Sequence, residues 1–158
     1  MIRCTTLNDV NAINEVAISS GLFSKEDIGV VAIMMADYFE RNSAKGDGCI
    51  VDVDEDGKLG GMAYYTPAAA TEGTWYLQMI AVDAALQGQG RGTRLIQHIE
   101  HKLGAAGHRL LLVETAGTDE FGVTRQFYVK NGYEEEARVR DYYAAGVDMV
   151  LYRKALTV

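Results

Sequence analysis

A glycine-dense stretch between a strand pattern and a helix pattern constrains the fold of this chain more than any other feature. Residues 77–95 read LQMIAVDAALQGQGRGTRL, so an apolar strand leads through Gly88, Gly90 and Gly92 into apolar residues at helical spacing. Glycine lets the backbone approach a ligand closely and adopt a positive φ. The free amides and the dipole of a first helical turn favour negative charge. The stretch therefore predicts a phosphate or pyrophosphate site at a helix N-terminus.

Two common nucleotide-binding loops do not fit the spacing of these residues. A Walker loop ends in Gly-Lys-Ser or Gly-Lys-Thr, and no lysine occurs between Lys58 and Lys102. The dinucleotide fingerprint is G-x-G-x-x-G, whereas Thr93 stands where its third glycine belongs. The side chains of Arg91, Thr93 and Arg94 are candidate donors to the anion, and a glycine-rich surface turn without a ligand stays open as an alternative.

Hydrophobic periodicity predicts strands and helices along the whole chain. The single proline, Pro67, and the absence of Ser/Gly/Pro-rich runs favour one domain over residues 1–158. In the run Arg109-Leu-Leu-Leu-Val113 every residue after the arginine is apolar, which predicts a strand buried on both faces, and 41–48 is interpreted as a loop. The strand–helix–strand unit over 75–113 predicts a parallel crossover beside antiparallel hairpins. The predicted strands are 2–6, 49–53, 59–65, 75–82, 109–113, 133–138 and 148–154, and the predicted helices are 8–20, 25–40, 90–103 and 121–130.

Composition argues against several classes of partner. The formal net charge is −7 and no basic block occurs, so no nucleic-acid partner is predicted. The apolar runs are too short to span a bilayer, so no membrane partner is predicted either. Cys4 and Cys49 are the only thiols and the first residues lack the apolar stretch of a signal peptide, which favours a cytoplasmic location. No cluster of ligands accompanies the histidines, so no metal site is predicted.

Three segments resemble the GNAT superfamily of acyl-CoA-dependent N-acyltransferases. Gln87-x-x-Gly90-x-Gly92 is similar to the Q/R-x-x-G-x-G/A signature of that family. The preceding Met79-Ile-Ala-Val82-Asp resembles the family's fourth strand. Phe127-Tyr128-Val-Lys-Asn-Gly132-Tyr133 resembles its second signature, an aromatic pair followed by glycine and an aromatic residue. The predicted order of elements also matches the family along essentially the whole chain.

The resemblance implies a fold and a cosubstrate. The fold is of the α/β (α+β) class: a mixed, mostly antiparallel sheet of six to seven strands with about four helices and a parallel pair of fourth and fifth strands at the acyl-CoA site. The cosubstrate is acetyl-CoA, released as coenzyme A, and no metal is implied. The residues implied in binding it are Ile80, Ala81, Val82, Gln87, Gly88, Gln89, Gly90, Arg91, Gly92, Thr93 and Tyr128.

The resemblance also implies a reaction, N-acetylation of a primary amine by direct attack in a ternary complex. Aminolysis of a thioester requires a free amine, a polarised carbonyl and a proton for the departing thiolate. Tyr128 matches the family position of the proton donor, and a backbone amide near Ile80 to Val82 is the implied carbonyl donor. Glu114, just past the predicted fifth strand, is the best candidate base. Glu72, Asp83 and a chain of waters stay open as alternatives.

The acceptor is left open between a small molecule and a peptide. Asp141-Tyr142-Tyr143 followed by Gly146-Val-Asp148 is similar to a pattern found in several family members, protein N-terminal acetyltransferases among them. A non-catalytic acyl-CoA-binding module is a third alternative, because no base is evident in the sequence. Phe121 and Thr124 replace an Asn and an Ala that many relatives carry, which puts a side-chain contact to the pantetheine arm in doubt. Homodimers are frequent in the family, so a homodimer is also compatible with the resemblance.

Overall fold

Strands and helices follow one another in the order that the periodicity predicts. The computed structural model describes residues 1–23 and 26–157. Within these residues seven strands and four α-helices are joined by short turns. The strands are β1 (Ile2–Cys4), β2 (Gly48–Val53), β3 (Leu59–Pro67), β4 (Thr74–Val82), β5 (Leu110–Ala116), β6 (Glu134–Ala144) and β7 (Val147–Ala155), and the helices are α1 (Val10–Ser19), α2 (Ile28–Asp37), α3 (Arg91–Ala105) and α4 (Gly122–Lys130).

The strands form one sheet in the order β1-β2-β3-β4-β5-β7-β6. The hairpins β2–β3 and β6–β7 are antiparallel, as are β1–β2 and β5–β7. β4 and β5 are parallel, and their register joins Thr74–Leu77 to Leu110–Val113. A mixed, mostly antiparallel sheet with parallel fourth and fifth strands confirms the predicted fold class.

The chain divides into two compact units. The first comprises Met1–Pro67 with Met79–Ile99, and the second comprises Ala68–Gln78 with Glu100–Val158. In the first unit, α1 packs on β3 and on α2. Its apolar core is lined by buried residues from α1, α2 and strands β2 to β4, among them Ile13, Val31, Met35, Val51, Met62 and Ala81.

The fifth strand differs from its prediction in two ways. Its burial alternates, with Leu111 and Val113 buried and their neighbours more exposed, so it is not buried on both faces. It also extends to Ala116, which places Glu114 inside the strand rather than just past it. The cause is the antiparallel pairing with β7, where Glu114 lies opposite Leu151. A charged residue is tolerated there because it points to the exposed face of the strand.

Two other elements also differ in their bounds from the prediction. The predicted loop 41–48 is largely helical, because α2 continues through a π-helical turn (Tyr38–Asn42) and a 3₁₀ turn (Ser43–Lys45). Tyr38, the first residue of this extension, is buried in the core, and the extension ends at Gly46 with φ +105°. β6 extends beyond the predicted 133–138 because its pairing with β7 continues to Ala144. The predicted start of the second helix at residue 25 lies outside the described residues.

Acid should destabilise the first unit partly through Asp9. Both oxygens of this buried carboxylate accept hydrogen bonds from Arg3, at 2.7 and 2.8 Å, and one also accepts the Thr6 amide at 2.7 Å. The Arg3 guanidinium, with the Thr6 donors, holds the pKa of Asp9 well below its usual range. A depressed pKa in the folded state stabilises the fold above the unfolded pKa of about 3.9, and this contribution is lost as the pH falls toward the folded pKa.

We therefore expect the unfolding free energy of an Asp9→Asn variant to fall less steeply than that of the parent chain below about pH 5. Urea titrations between neutral and acidic pH measure both slopes. The control is Glu15→Gln, which neutralises an exposed carboxylate on α1. Parallel pH profiles for Asp9→Asn and the parent would contradict this assignment.

Candidate functional site

The glycine-rich loop has the backbone conformation that its sequence requires. Gly88 and Gly90 have φ values of +72° and +79°, which L-residues rarely adopt. A Cβ atom at either position would meet nothing within 4 Å, so the space beside both glycines is open. α3 begins at Arg91, and the Arg94 amide donates to the Gly90 carbonyl at 3.0 Å. The amides of residues 91–93 precede that bond and are the donors a helix leaves for a capping group or ligand.

The loop is fastened to the elements before it. The Gln87 side-chain amide donates to the carbonyls of Ser20 and Val82, at 3.2 and 3.1 Å. The Ala84 amide donates to the Ser19 hydroxyl at 3.0 Å. Gln87 therefore connects the loop to the end of α1 and to the end of β4. The sequence identified Gln87 by its family position, and the structure gives its side chain a role in holding the backbone.

A buried carboxylate anchors the first turn of α3. Asp52 on β2 is fully buried, and its Oδ2 accepts hydrogen bonds from Arg91 Nη1 and Arg94 Nη2, both at 2.8 Å. Burial alone would raise the pKa of Asp52, but hydrogen bonding and charge from Arg94 and Arg91 outweigh it and hold that pKa below its usual range. Two guanidinium groups and one carboxylate leave a formal charge of +1 at the helix N-terminus, and the Met1 ammonium, 3.4 Å from Oδ1 of Asp52, adds a further positive charge.

Sequence reasoning missed Asp52 and assigned both arginines directly to an anion. The available signal was an aspartate inside the apolar strand Cys49–Val53, since a buried carboxylate is rarely found without a partner. The structure brings Arg91 and Arg94 to that carboxylate. Thr93 lies in the same first turn and is partly buried.

Tyr128 lies in α4 inside a cluster of aromatic rings in the second unit. It is 4% exposed, and its ring centroid lies 5.3 Å from that of Phe127, 5.7 Å from Tyr133 and 5.9 Å from Tyr152. Burial raises the pKa of the Tyr128 phenol. The hydroxyl therefore remains protonated through the neutral range and is a proton donor.

A charged network fixes the end of the helix that carries Tyr128. Glu100 accepts the Tyr133 hydroxyl at 3.0 Å and the Lys154 ammonium at 2.7 Å. The same ammonium donates to the Asn131 carbonyl at 2.7 Å, just after α4 ends. Gly132 follows with φ +85°, a left-handed conformation that ends the helix. The sequence singled out Gly132 and Tyr133, but nothing in it linked them to Glu100 or Lys154.

The negative charge of Glu114 acts on Tyr143 in the second unit. Glu114 is exposed on β5, and Tyr143 is exposed on β6. Burial raises the pKa of Tyr143, and the negative charge of Glu114 raises it further. The Tyr143 ring also meets Tyr142 edge-on, with centroids 4.9 Å apart. Tyr142 and Tyr143 thus form an aromatic patch, and the charge of Glu114 acts on it from two strands away in the sheet.

The predicted site residues are thus distributed over both units. Ile80, Ala81 and Val82 close β4 in the first unit, and they follow the part of β4 that is in parallel register with β5. The loop of residues 87–93 lies in the same unit, whereas Tyr128 and Glu114 belong to the second. In the described part of the chain, no three His, Cys, Asp or Glu side chains are grouped so as to hold a metal ion. Among residues 1–23 and 26–157, none of the helices is long and apolar enough to cross a membrane.

Comparison with known proteins identifies the family. Residues 17–133 match the model of the acetyltransferase (GNAT) family. A crystal structure from Desulfovibrio desulfuricans, of a protein assigned to the GNAT family of acetyltransferases, is 31% identical and superposes with a TM-score of 0.91 over 98% of each chain. No curated protein sequence matches the chain significantly.

More distant solved structures share the fold. The ribosomal-protein-S18-alanine N-acetyltransferase of Escherichia coli is 19% identical, with a TM-score of 0.77 over 100% of this chain and 94% of its own. A phosphinothricin acetyltransferase of Sinorhizobium meliloti, solved in complex with AcCoA, is 19% identical, with a TM-score of 0.79 over 99% of this chain and 88% of its own. Their acceptors are chemically unlike, so these likenesses concern the fold alone.

Proposed function

The chain belongs to the acetyltransferase (GNAT) family, and from that membership we propose that it transfers an acetyl group from acetyl-CoA to a primary amine of a small molecule. The observation that carries the proposal is the loop before α3. Its glycines hold positive φ with open space beside them, and the arginine–aspartate cluster at the helix start has a formal charge of +1. A pyrophosphate fits both properties, because it is bulky and anionic.

In this proposal, coenzyme A is bound mainly through the backbone. The amides of Gln87 to Thr93 bind the pyrophosphate. Thr93 adds its hydroxyl, and Arg91 adds positive charge while its guanidinium stays bound to Asp52. The pantetheine arm pairs with the backbone of Ile80 to Val82 in the manner of an added strand. The parallel register of β4 with β5 covers only Thr74–Leu77 of β4, which supports this assignment.

The chemical step is direct aminolysis of the thioester. The amine nitrogen attacks the acetyl carbonyl carbon, the carbon–sulfur bond breaks, and the departing thiolate takes a proton from the Tyr128 phenol. The amine loses its own proton to Glu114 or to a chain of waters. A backbone amide near Ile80 to Val82 polarises the carbonyl oxygen. The Tyr128 phenol carries its proton at neutral pH, as the role requires, while burial raises its pKa and so makes it a weaker acid than an exposed tyrosine.

A peptide or protein N-terminus is the second candidate acceptor. The patch of Tyr142 and Tyr143, on which the charge of Glu114 acts, favours a cationic amine, and an N-terminal ammonium group satisfies that requirement as well as a small amine does. Both acceptors must reach the reaction as the neutral amine, so a carboxylate beside the patch serves binding and deprotonation alike.

The proposal extends to the protein's setting. Residues 1–158 act as one acetyltransferase domain in the cytoplasm, without a nucleic-acid or membrane partner. A net charge of −7 and the absence of a basic block argue against a nucleic-acid partner. Cell fractionation followed by immunodetection tests the location, and recovery in the membrane pellet would count against it.

The deciding experiment is calorimetric titration of the protein with acetyl-CoA, coenzyme A and ATP. We expect the two CoA species to bind and ATP to bind much more weakly. Thiol release is then followed while small primary amines and short peptides with different first residues are screened. Release with one class of amine identifies the acceptor. A preference for ATP would overturn the assignment of the loop, and CoA binding without thiol release would favour a non-catalytic binding module.

A substitution at Gly90 should weaken the binding of acetyl-CoA. Gly90→Asp puts a side chain and a negative charge where the pyrophosphate is proposed to bind, and we expect at least about a tenfold rise in Kd. The matched control is Gly57→Asp in the β2–β3 turn. Gly57 also has positive φ (+81°) and nothing within 4 Å of a Cβ, so both variants carry the same backbone strain. Equal affinities in the two variants would show that the loop does not bind the cosubstrate.

A further inference from the structure

The ring of Tyr128 is held in place by packing rather than by hydrogen bonds. It is 4% exposed and contacts the rings of Phe127, Tyr133 and Tyr152. Among the residues that the structure describes, no group forms a hydrogen bond with the Tyr128 hydroxyl. The direction of the phenol therefore depends on how firmly the neighbouring rings are themselves fixed.

Tyr133 is fixed both through its backbone and through its hydroxyl. Its amide donates to the Tyr128 carbonyl at 3.0 Å, and its hydroxyl donates to Oε1 of Glu100 at 3.0 Å. Its ring is 3% exposed and meets the Tyr128 ring edge-on, with centroids 5.7 Å apart. The Tyr152 hydroxyl, by contrast, makes no hydrogen bond with any described residue. Tyr133 is therefore the ring through which a polar side chain can restrain Tyr128.

Glu100 is held in turn by Lys154. Its Oε2 accepts a hydrogen bond from the Lys154 ammonium at 2.7 Å, and the same ammonium donates to the Asn131 carbonyl at 2.7 Å. The side chains of Glu100 and Lys154 are 13% and 27% exposed, so water competes only partly for these bonds. Burial and the negative charge of Glu100 raise the pKa of Tyr133, so its phenol keeps the proton that it donates to the carboxylate.

We propose that Glu100 is a positioning residue for Tyr128 and acts through the hydroxyl and ring of Tyr133. This role rests on the proposed function, in which the Tyr128 phenol protonates the departing thiolate. The carboxylate fixes Tyr133, and the fixed ring limits the rotation of the Tyr128 ring. A displacement of about 1 Å can lower a rate about 10²-fold, so loss of this restraint lowers turnover and leaves the affinity for acetyl-CoA unchanged.

The test is a pair of substitutions assayed by thiol release. Glu100→Met removes both acceptor oxygens and keeps the length of the side chain, and Tyr133→Phe removes only the hydroxyl. We expect kcat to fall about tenfold to a hundredfold in each variant, with an unchanged Kd for acetyl-CoA from calorimetry. The matched controls are Glu120→Met, at an exposed glutamate of the second unit, and Tyr152→Phe, and both are expected to keep the turnover of the parent chain.

A second background distinguishes a misdirected acid from a damaged fold. In chains that carry Tyr128→Phe, adding Glu100→Met should lower turnover no further, because no phenol remains to be directed. Partial unfolding would lower turnover in both backgrounds. Losses that multiply in the double variant, or turnover like that of the parent in Glu100→Met and Tyr133→Phe, would overturn the role of Glu100. A parent chain that releases no thiol would instead contradict the proposed function.

Fluorine NMR of protein labelled with 3-fluorotyrosine tests the same restraint without an acceptor, so its result is independent of the proposed function. The Tyr128 resonance is the one missing from the Tyr128→Phe variant. We expect it to shift or broaden in Glu100→Met, because a ring without its restraint samples more orientations, and to stay unchanged in Glu120→Met. Circular dichroism checks each fold, and should Glu100→Met unfold, Tyr133→Phe serves for both measurements. A Tyr128 resonance identical in the parent chain and the variant would overturn the proposal.

Discussion

Turnover should fall about 10²–10⁴-fold when Tyr128 is replaced by phenylalanine, while the affinity for acetyl-CoA stays nearly unchanged. The substitution removes one hydroxyl from a ring that is 4% exposed and packed among other aromatic rings, so the shape of the cluster is kept. What is lost is the proton for the departing thiolate. The measurement is kcat from thiol release, with the Kd for acetyl-CoA from calorimetry.

The matched control is Tyr152→Phe. Tyr152 is also buried and its centroid lies 5.9 Å from that of Tyr128, so this variant makes the same chemical change within the same cluster. We expect its turnover to stay close to that of the parent chain. Equal losses in the two variants would point to packing, and unchanged turnover in Tyr128→Phe would remove the proposed acid. Because burial raises the pKa of Tyr128, its ionisation should not lower turnover below about pH 10.

The second large effect is expected on stability, from Asp52→Asn. We expect the free energy of unfolding to fall by about 3 kcal/mol, the lower end of the range for removing one partner of a buried ion pair. The lower end applies because Arg94 is 56% exposed and can turn to water, whereas Arg91 is only 15% exposed and loses its partner inside the protein. Urea unfolding followed by circular dichroism measures the difference.

The control for this variant is Asp56→Asn, an exposed position in the turn that follows β2. We expect it to change the unfolding free energy by less than about 0.5 kcal/mol. Asp52 has a depressed pKa, so the difference between Asp52→Asn and the parent chain should be largest near neutral pH and shrink as the pH falls below about 4. If Asp52→Asn lowers the free energy of unfolding no more than Asp56→Asn does, the arginine–aspartate cluster does not stabilise the fold.

The sequence predicted the elements that have a strong apolar signal. α3 and β4 were bounded to within two residues, and the loop between them has the positive φ values expected of its glycines. The glycine-rich loop was recognisable because its chemistry is local. Whether it binds coenzyme A, and whether Tyr128 and Glu114 act on it, stay predictions until the assays above are made.

Elements without an apolar signal were predicted less well. The prediction covered only about half of β6. Its residues 134–144 are exposed on both faces of the strand, so no alternation of apolar and polar residues marks a strand there. The turns after α2 were interpreted as a loop because their polar residues mask a helical period. Glu114 was placed beyond β5 because a charge after an apolar run resembles a strand end, and only the pairing with β7 shows otherwise. The partnership of Asp52 with two arginines about forty residues away is tertiary and has no local pattern.

The hydrogen bonds of Gln87 bear on how tightly the loop can bind any ligand. A loop that becomes ordered only when its ligand arrives weakens binding by the conformational entropy that it then loses. Here the Gln87 side chain joins the loop to the carbonyls of Ser20 and Val82, and the Ala84 amide joins it to Ser19, so these bonds are made by the chain itself. The loop is thus preorganised: the entropy of ordering it is lost when the chain folds, and binding does not incur that loss a second time.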